Sequence, residues 1–220
     1  MRKVEVLLQH GWGWDEGIWA ALRASAPEGV ATQTADRGYF GAPLSPGGEP
    51  QVLVAHSFGL HLLEPGWLAG AQLVVVLGGF AAFHPEGGAG RPSRRLVARM
   101  RRRLELEPLA LLADFRARCL APEAGAPALP AGVALQLLAA DLERLDTQIP
   151  DLAALGAVPQ MLLLHGGQDQ IVPLERAQDL EGRLPNSRLE CLAGAGHALP
   201  LTRPGACWAA IRAAWTGWGP

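Results

Sequence analysis

The chain has 220 residues, 49% of them hydrophobic and 18% charged, with a formal net charge of −2. That balance excludes a disordered chain and suits one α/β core carrying an insertion. No apolar run approaches the roughly 18 residues of a membrane span, so no membrane partner is expected. The start, Met1 to Leu8, carries a charge inside its apolar part and no small-residue cleavage site. It reads as a first strand rather than a signal peptide, which implies a cytoplasmic location. Cys119, Cys191 and Cys207 form no metal-ligand or redox spacing, so reduced thiols and no metal site are expected.

In chain order, Val4 to Gln9 is strand-like and delivers His10-Gly11-Trp12-Gly13-Trp14, where the glycines let the backbone approach a ligand. Asp15 is a candidate N-cap for a helix with Ile18, Trp19 and Leu22 on one face. Val30 to Asp36 is a second strand, and Arg37 to Gly41 reads as a loop near a site. Ala42 to Pro50 holds three prolines and two adjacent glycines. The crossover there cannot be a normal helix, which leaves one sheet face thinly covered. Val52-Leu53-Val54-Ala55-His56-Ser57-Phe58-Gly59 reads as strand, sharp turn and helix, with the helix starting over Leu60 to Leu63 and interrupted at Pro65 and Gly66. His56 and His61 flank that turn on its helix side and are expected to pack or cap. Leu73 to Leu77 is the next buried strand.

From Gly78 to about Ile149 the pattern becomes helical and arginine-rich, broken by Pro85, Pro108, Pro122, Pro127 and Pro130. Between positions 91 and 118, nine arginines oppose Glu105, Glu107 and Asp114, a balance of +6 within a near-neutral chain. The basic face is either a docking surface or a solvated helix face. It lacks interleaved aromatics between 91 and 103, so no nucleic-acid partner is expected. Downstream, Met161 to Leu164 runs into His165-Gly166-Gly167-Gln168-Asp169, and Leu189 to Leu192 leads into Ala193-Gly194-Ala195-Gly196-His197.

Ser57 at a strand-to-helix turn matches the nucleophile elbow of the α/β hydrolases, G-x-S-x-G, with Ala55 for the first glycine. A serine acting only as a helix N-cap is the plainer alternative. Asp169 and His197 follow in the order Ser, Asp, His that this fold uses, each after a strand-like run. Asp146 and Asp151 are competing candidates for the acid. The expected architecture is therefore an α/β-hydrolase fold, a mainly parallel sheet of about six strands, with residues 1–79 and 150–220 as core and 80–149 as a helical cap. An acyl-transfer site needs two backbone N–H groups for the oxyanion, and Trp12 and Phe58 are the candidates. Tryptophans beside glycines also serve as plain core plugs. No cofactor is called for, because the triad chemistry requires none.

His10-Gly11-Trp12-Gly13, Trp19, the Ser57 elbow, the Leu142 to Leu155 passage before Val158-Pro159, Gly167-Gln168-Asp169 and Gly196-His197-Ala198-Leu199-Pro200 together resemble the pimeloyl-[acyl-carrier protein] methyl ester esterases of biotin synthesis. Departures are Ala55, Leu60 where a second glycine is common, and the missing helix before Gln51. The resemblance implies a serine carboxylesterase acting on a carrier-bound methyl ester. An acidic acyl carrier protein would then be the partner, drawn by Arg94, Arg95, Arg99, Arg102 and Arg103. The rival readings are a general short-acyl carboxylesterase, a carbon–carbon lyase of menaquinone synthesis on the same site, and a non-catalytic receptor that keeps the pocket.

Overall fold

Short runs with no room for a helical period, most of them rich in valine or leucine, form the six strands of a computed structural model that describes residues 3–125, 129 and 132–215. Met1, Arg2, Pro127 and Pro130, which figure in the sequence reading, lie outside the described residues. The strands are β1 (Val4–Gln9), β2 (Val30–Ala35), β3 (Val52–His56), β4 (Leu73–Leu77), β5 (Gln160–Gly166) and β6 (Ser187–Leu192). They pair in the order β2-β1-β3-β4-β5-β6, every pair parallel. β3 and β4 are buried at every position, as expected of central strands covered on both faces.

Alternate residues of each strand feed two cores. Val6, Leu8, Val54, Val75, Leu77 and Leu164 pack with Trp14, Trp19 and the helices α1 (Ala20–Ala24), α8 (Leu199–Thr202) and α9 (Pro204–Ala214). On the other face, Leu7, Leu53, Val74, Val76 and Leu163 meet residues of α2 (Pro65–Gly70), α6 (Leu152–Ala157) and α7 (Leu174–Arg183). A fully buried side chain of this size contributes about 1.5–3 kcal/mol, so Trp14 and Trp19, each at most 1% exposed, anchor the first core. As the prolines and glycines require, no helix lies between β2 and β3. That passage is held by an antiparallel bridge between Asp36 and Leu44 and by a hydrogen bond from Trp67 Nε1 to the Pro46 carbonyl.

The turn after β3 departs from expectation. Ser57–Leu62 is a 3-10 helix, Leu63 and Glu64 are extended, and Pro65 opens α2 rather than interrupting a helix. Proline has no N–H to continue a helix but fits the first helical turn, where that group has no intrahelical partner. His56 ends the strand and so lies before the turn, not on its helix side.

Between β4 and β5 stand α3 (Arg91–Leu106), α4 (Pro108–Leu120) and α5 (Leu135–Arg144). Leu104, Leu111, Leu112, Leu138 and Leu142 from these helices join Trp12, Phe58 and Phe80 in a third core at the carboxyl edge of the sheet. Cys119 and Leu120, at the end of α4, belong instead to the first core beside Trp14 and Trp19. No described helix is long and apolar enough to cross a membrane.

Candidate active site

Ser57 follows the last residue of β3 with φ of +56°, and among the described residues it is the one non-glycine residue with positive φ. A left-handed backbone at a residue with a Cβ costs roughly 1–2 kcal/mol and persists only where the surroundings impose it. The imposing neighbour is the loop after β1. A Cβ on Gly11 would stand 2.7 Å from the His56 carbonyl oxygen and 3.2 Å from the Phe58 nitrogen, so only glycine lets that loop lie against the turn. Trp12, Ser57 and Phe58 consequently border one cavity of about 460 Å³, whose wall is completed mainly by apolar residues, among them Phe80, Met100 and Phe115.

Asp169 and His197 lie on the loops after β5 and β6, and the Asp169 carboxylate accepts a 2.6 Å hydrogen bond from His197 Nδ1. The same carboxylate receives the N–H groups of Ile171 and Val172 at 2.8 and 2.9 Å. Burial alone would raise the Asp169 pKa, but the His197 imidazole and these donors outweigh it and hold the carboxyl below its ordinary range. His197 is fully buried, and its Nε2 has no hydrogen-bond partner among the described residues, so no bond joins it to Ser57 here. Its ring centroid lies 4.7 Å from that of His56, the residue before Ser57. His56 Nε2 is 3.2 Å from the His197 carbonyl oxygen, which ties the histidine loop to the strand carrying the serine.

The rival acids are occupied elsewhere. Asp151 caps α6 by accepting from the Ala154 N–H. Asp146 pairs with His84 Nε2 at 2.9 Å, while Ser93 Oγ lies 2.8 Å from His84 Nδ1.

The structure separates the expected basic face into parts. Arg95, Arg99 and Arg102 are exposed on α3, and Arg99 borders the cavity. Arg94 is exposed as well but donates to the Asp146 carbonyl. Arg103 is paired with Glu107 and Asp114 at 2.7 and 2.8 Å, so its charge is largely offset within the insertion. Arg116, counted in the +6 balance, is 2% exposed. It donates to the Gly13 carbonyl, lies 3.4 Å from Asp15, and stacks over Trp14 and Phe40. A count of sequence charge therefore overstates the surface charge.

Sequence reasoning missed a buried ion network beside the site. Asp141, fully buried on α5, accepts from Arg37 at 2.8 and 3.1 Å, from Tyr39 at 2.8 Å and from Arg144 at 2.7 Å. Burial would raise its pKa, yet these donors hold it below the usual range. The available signal was an acid inside the apolar stripe Leu138, Asp141, Leu142, where a lone carboxylate would not be tolerated without cationic partners.

No protein-family model matches the chain. Among curated proteins it is 29% identical over 94% of its length to a pimeloyl-[acyl-carrier protein] methyl ester esterase of Aromatoleum aromaticum, covering 96% of that enzyme. It is also 29% identical, over 93% of its length, to a biotin biosynthesis bifunctional protein of Cellvibrio japonicus, of which it spans 46%. Among solved structures, an esterase from Exiguobacterium antarcticum superimposes with a TM-score of 0.79 at 16% identity, over 96% of this chain and 91% of that one. The chain has the α/β-hydrolase fold and resembles the pimeloyl-[acyl-carrier protein] methyl ester esterases.

Proposed function

We propose that this α/β hydrolase is a serine carboxylesterase that cleaves the methyl ester of pimeloyl-acyl carrier protein. The chain is a carboxylic ester hydrolase. Ser57, held with a left-handed backbone beside an apolar cavity, is the observation that carries the assignment of the nucleophile. In this reading Ser57 Oγ attacks the ester carbonyl and passes its proton to His197 Nε2. Asp169, bonded to Nδ1, fixes the tautomer and stabilises the imidazolium. The N–H groups of Trp12 and Phe58 take the oxyanion. Collapse of the tetrahedral intermediate returns the proton to the leaving methoxide, releasing methanol and an acyl-serine. His197 then deprotonates a water that attacks the acyl carbonyl, and the free acid leaves as Ser57 recovers its proton.

The acyl chain would lie in the cavity, whose aromatic and aliphatic wall suits methylene groups. The exposed arginines of α3, Arg94, Arg95, Arg99 and Arg102, would face the acidic carrier; Arg103 contributes less because it is already paired. The name and length of the Aromatoleum aromaticum enzyme support this substrate over a generic short ester. The residue range 80–149 would act as the cap. The test is hydrolysis of a chromogenic short-chain ester and of pimeloyl-carrier methyl ester by wild type and Ser57→Ala. Turnover of both by wild type and neither by the variant is expected. Turnover of the small ester alone would leave a general esterase, and Ser57-independent turnover would end the assignment.

A further inference from the structure

We infer that Arg144 is a positioning residue that sets the oxyanion hole from α5, by fixing the residue that carries one of its N–H groups. The inference rests on the reading of Ser57 as nucleophile and of the Phe58 N–H as oxyanion donor. The Arg144 guanidinium carbon lies 5.4 Å from the centroid of the Phe58 ring, within range of a cation–π contact. The same ring stacks on His61 with centroids 5.1 Å apart and planes 16° from parallel. Arg144 in turn donates to the His61 carbonyl at 3.4 Å. Phe58 is thus held between the His61 ring and the Arg144 guanidinium, which also bonds the His61 backbone.

The guanidinium is held at each of its three nitrogens. Nη1 bonds Asp141 at 2.7 Å and Nε bonds Gln148 Oε1 at 2.6 Å, and Asp141 is itself fixed by Arg37 and Tyr39 from the loop after β2. The other proposed oxyanion donor is tied to the same helix, since Trp12 Nε1 donates to the Leu138 carbonyl at 2.9 Å. One helix of the insertion therefore holds both residues whose N–H groups must converge on the oxyanion. Convergence matters because a hydrogen bond weakens steeply as its angle closes, and the oxyanion is bonded only in the transition state. A lysine at position 144 would keep the charge but not the fork that reaches Asp141, Gln148 and His61 together.

The experiment compares wild type, Arg144→Met, Arg144→Lys and Ser57→Ala on a p-nitrophenyl short-chain ester. Active sites are counted by phosphonate titration, and a trifluoromethyl ketone is used as a reversible transition-state analogue. Loss of a whole oxyanion donor costs about 10²–10³ in kcat, so misaligning one is expected to cost Arg144→Met about tenfold or more per active site. KM should stay within about twofold, the ketone should weaken in step with kcat, and Arg144→Lys should fall between. Wild-type kcat per titrated site in Arg144→Met, or a loss that vanishes once folded sites are counted, overturns the inference while leaving the esterase reading intact. Absence of Ser57-dependent turnover in the wild type removes the esterase reading, and the inference falls with it.

Discussion

Ser57 and His197 are each set by a neighbour that has no side chain. Gly78, with φ of +61°, follows β4 where a Cβ would stand 3.0 Å from His197 Nδ1 and 3.4 Å from the Asp169 carboxylate. Gly78→Ala combines a backbone penalty of about 1–2 kcal/mol with pressure on the imidazole. It is expected to lower both kcat and Tm, the latter by roughly 2–8 °C. Unchanged kcat in a folded variant would show that the ring is not confined there. Ser57→Ala and His197→Ala should each remove nearly all turnover, and Asp169→Asn should retain somewhat more, measured by ester hydrolysis at saturating substrate. Ser57, Asp169 and His197 stood out in the sequence as candidates because each follows an apolar run and the elbow has a fixed spacing, and the fold joins the last two by a hydrogen bond. Asp141 and Arg37 did not, since they meet across more than a hundred residues of chain and no local pattern records a partner at that distance.

The helices between β4 and β5 differ in what fastens them. α4 is tied down by Arg116 on the Gly13 carbonyl and by Cys119 in the sheet core, and α5 by Asp141. α3 presents a long basic face to water, and its first turns carry Arg91, Arg94 and Arg95 with no acid to match. Cations at a helix amino end oppose the macrodipole by about 0.3–1 kcal/mol each at low salt, so this placement works against the stability of the helix. Arg94→Glu combined with Arg95→Glu is therefore expected to hold or raise Tm while raising KM for a carrier-bound ester several-fold and leaving a small free ester unaffected. With a Debye length of about 8 Å at physiological salt, the KM difference should shrink as salt is added. A fall in Tm would contradict the macrodipole argument, equal loss on both substrates would mean that the insertion had unfolded, and no loss on either would return these arginines to a plain solvated face. The sequence revealed that this region is helical and basic. It did not reveal which arginines turn inward, because Arg116 and Arg99 read alike until α4 is seen to pass over Trp14 and Phe40.

At the scale of the molecule, four buried histidines are held neutral. Burial pushes His61 down to about 4, against which its bond to the Phe80 carbonyl is insufficient, and burial lowers His56, His84 and His165 as well. Between pH 6.5 and 4 the unfolded chain binds a proton at position 61 that the folded chain refuses, so stability falls as pH drops through that window. From pH 6.5 to 5, His61 alone should cost about 2 kcal/mol at 1.36 kcal/mol per pH unit. The other three act in the same direction. The lowered carboxyls of Asp36, Asp141 and Asp169 add their loss only near and below their ordinary value of 3.8. Urea midpoints measured at pH 7, 6 and 5 should decline steadily, and a flat series would contradict the burial of these rings. A mainly parallel sheet of about six strands was expected and six parallel strands are found, whereas the strand order and the protonation pattern depend on packing that no strand spacing encodes. The passage from β2 to β3, without a helix and beginning at an edge strand paired only with β1, has a kinetic consequence. No helix runs through it, so its amides should trade hydrogen for deuterium early, in local openings far cheaper than global unfolding. Arg37 and Tyr39 ride on that passage, so each opening withdraws two of the three side chains that hold Asp141 on α5 and leaves Arg144 as the third.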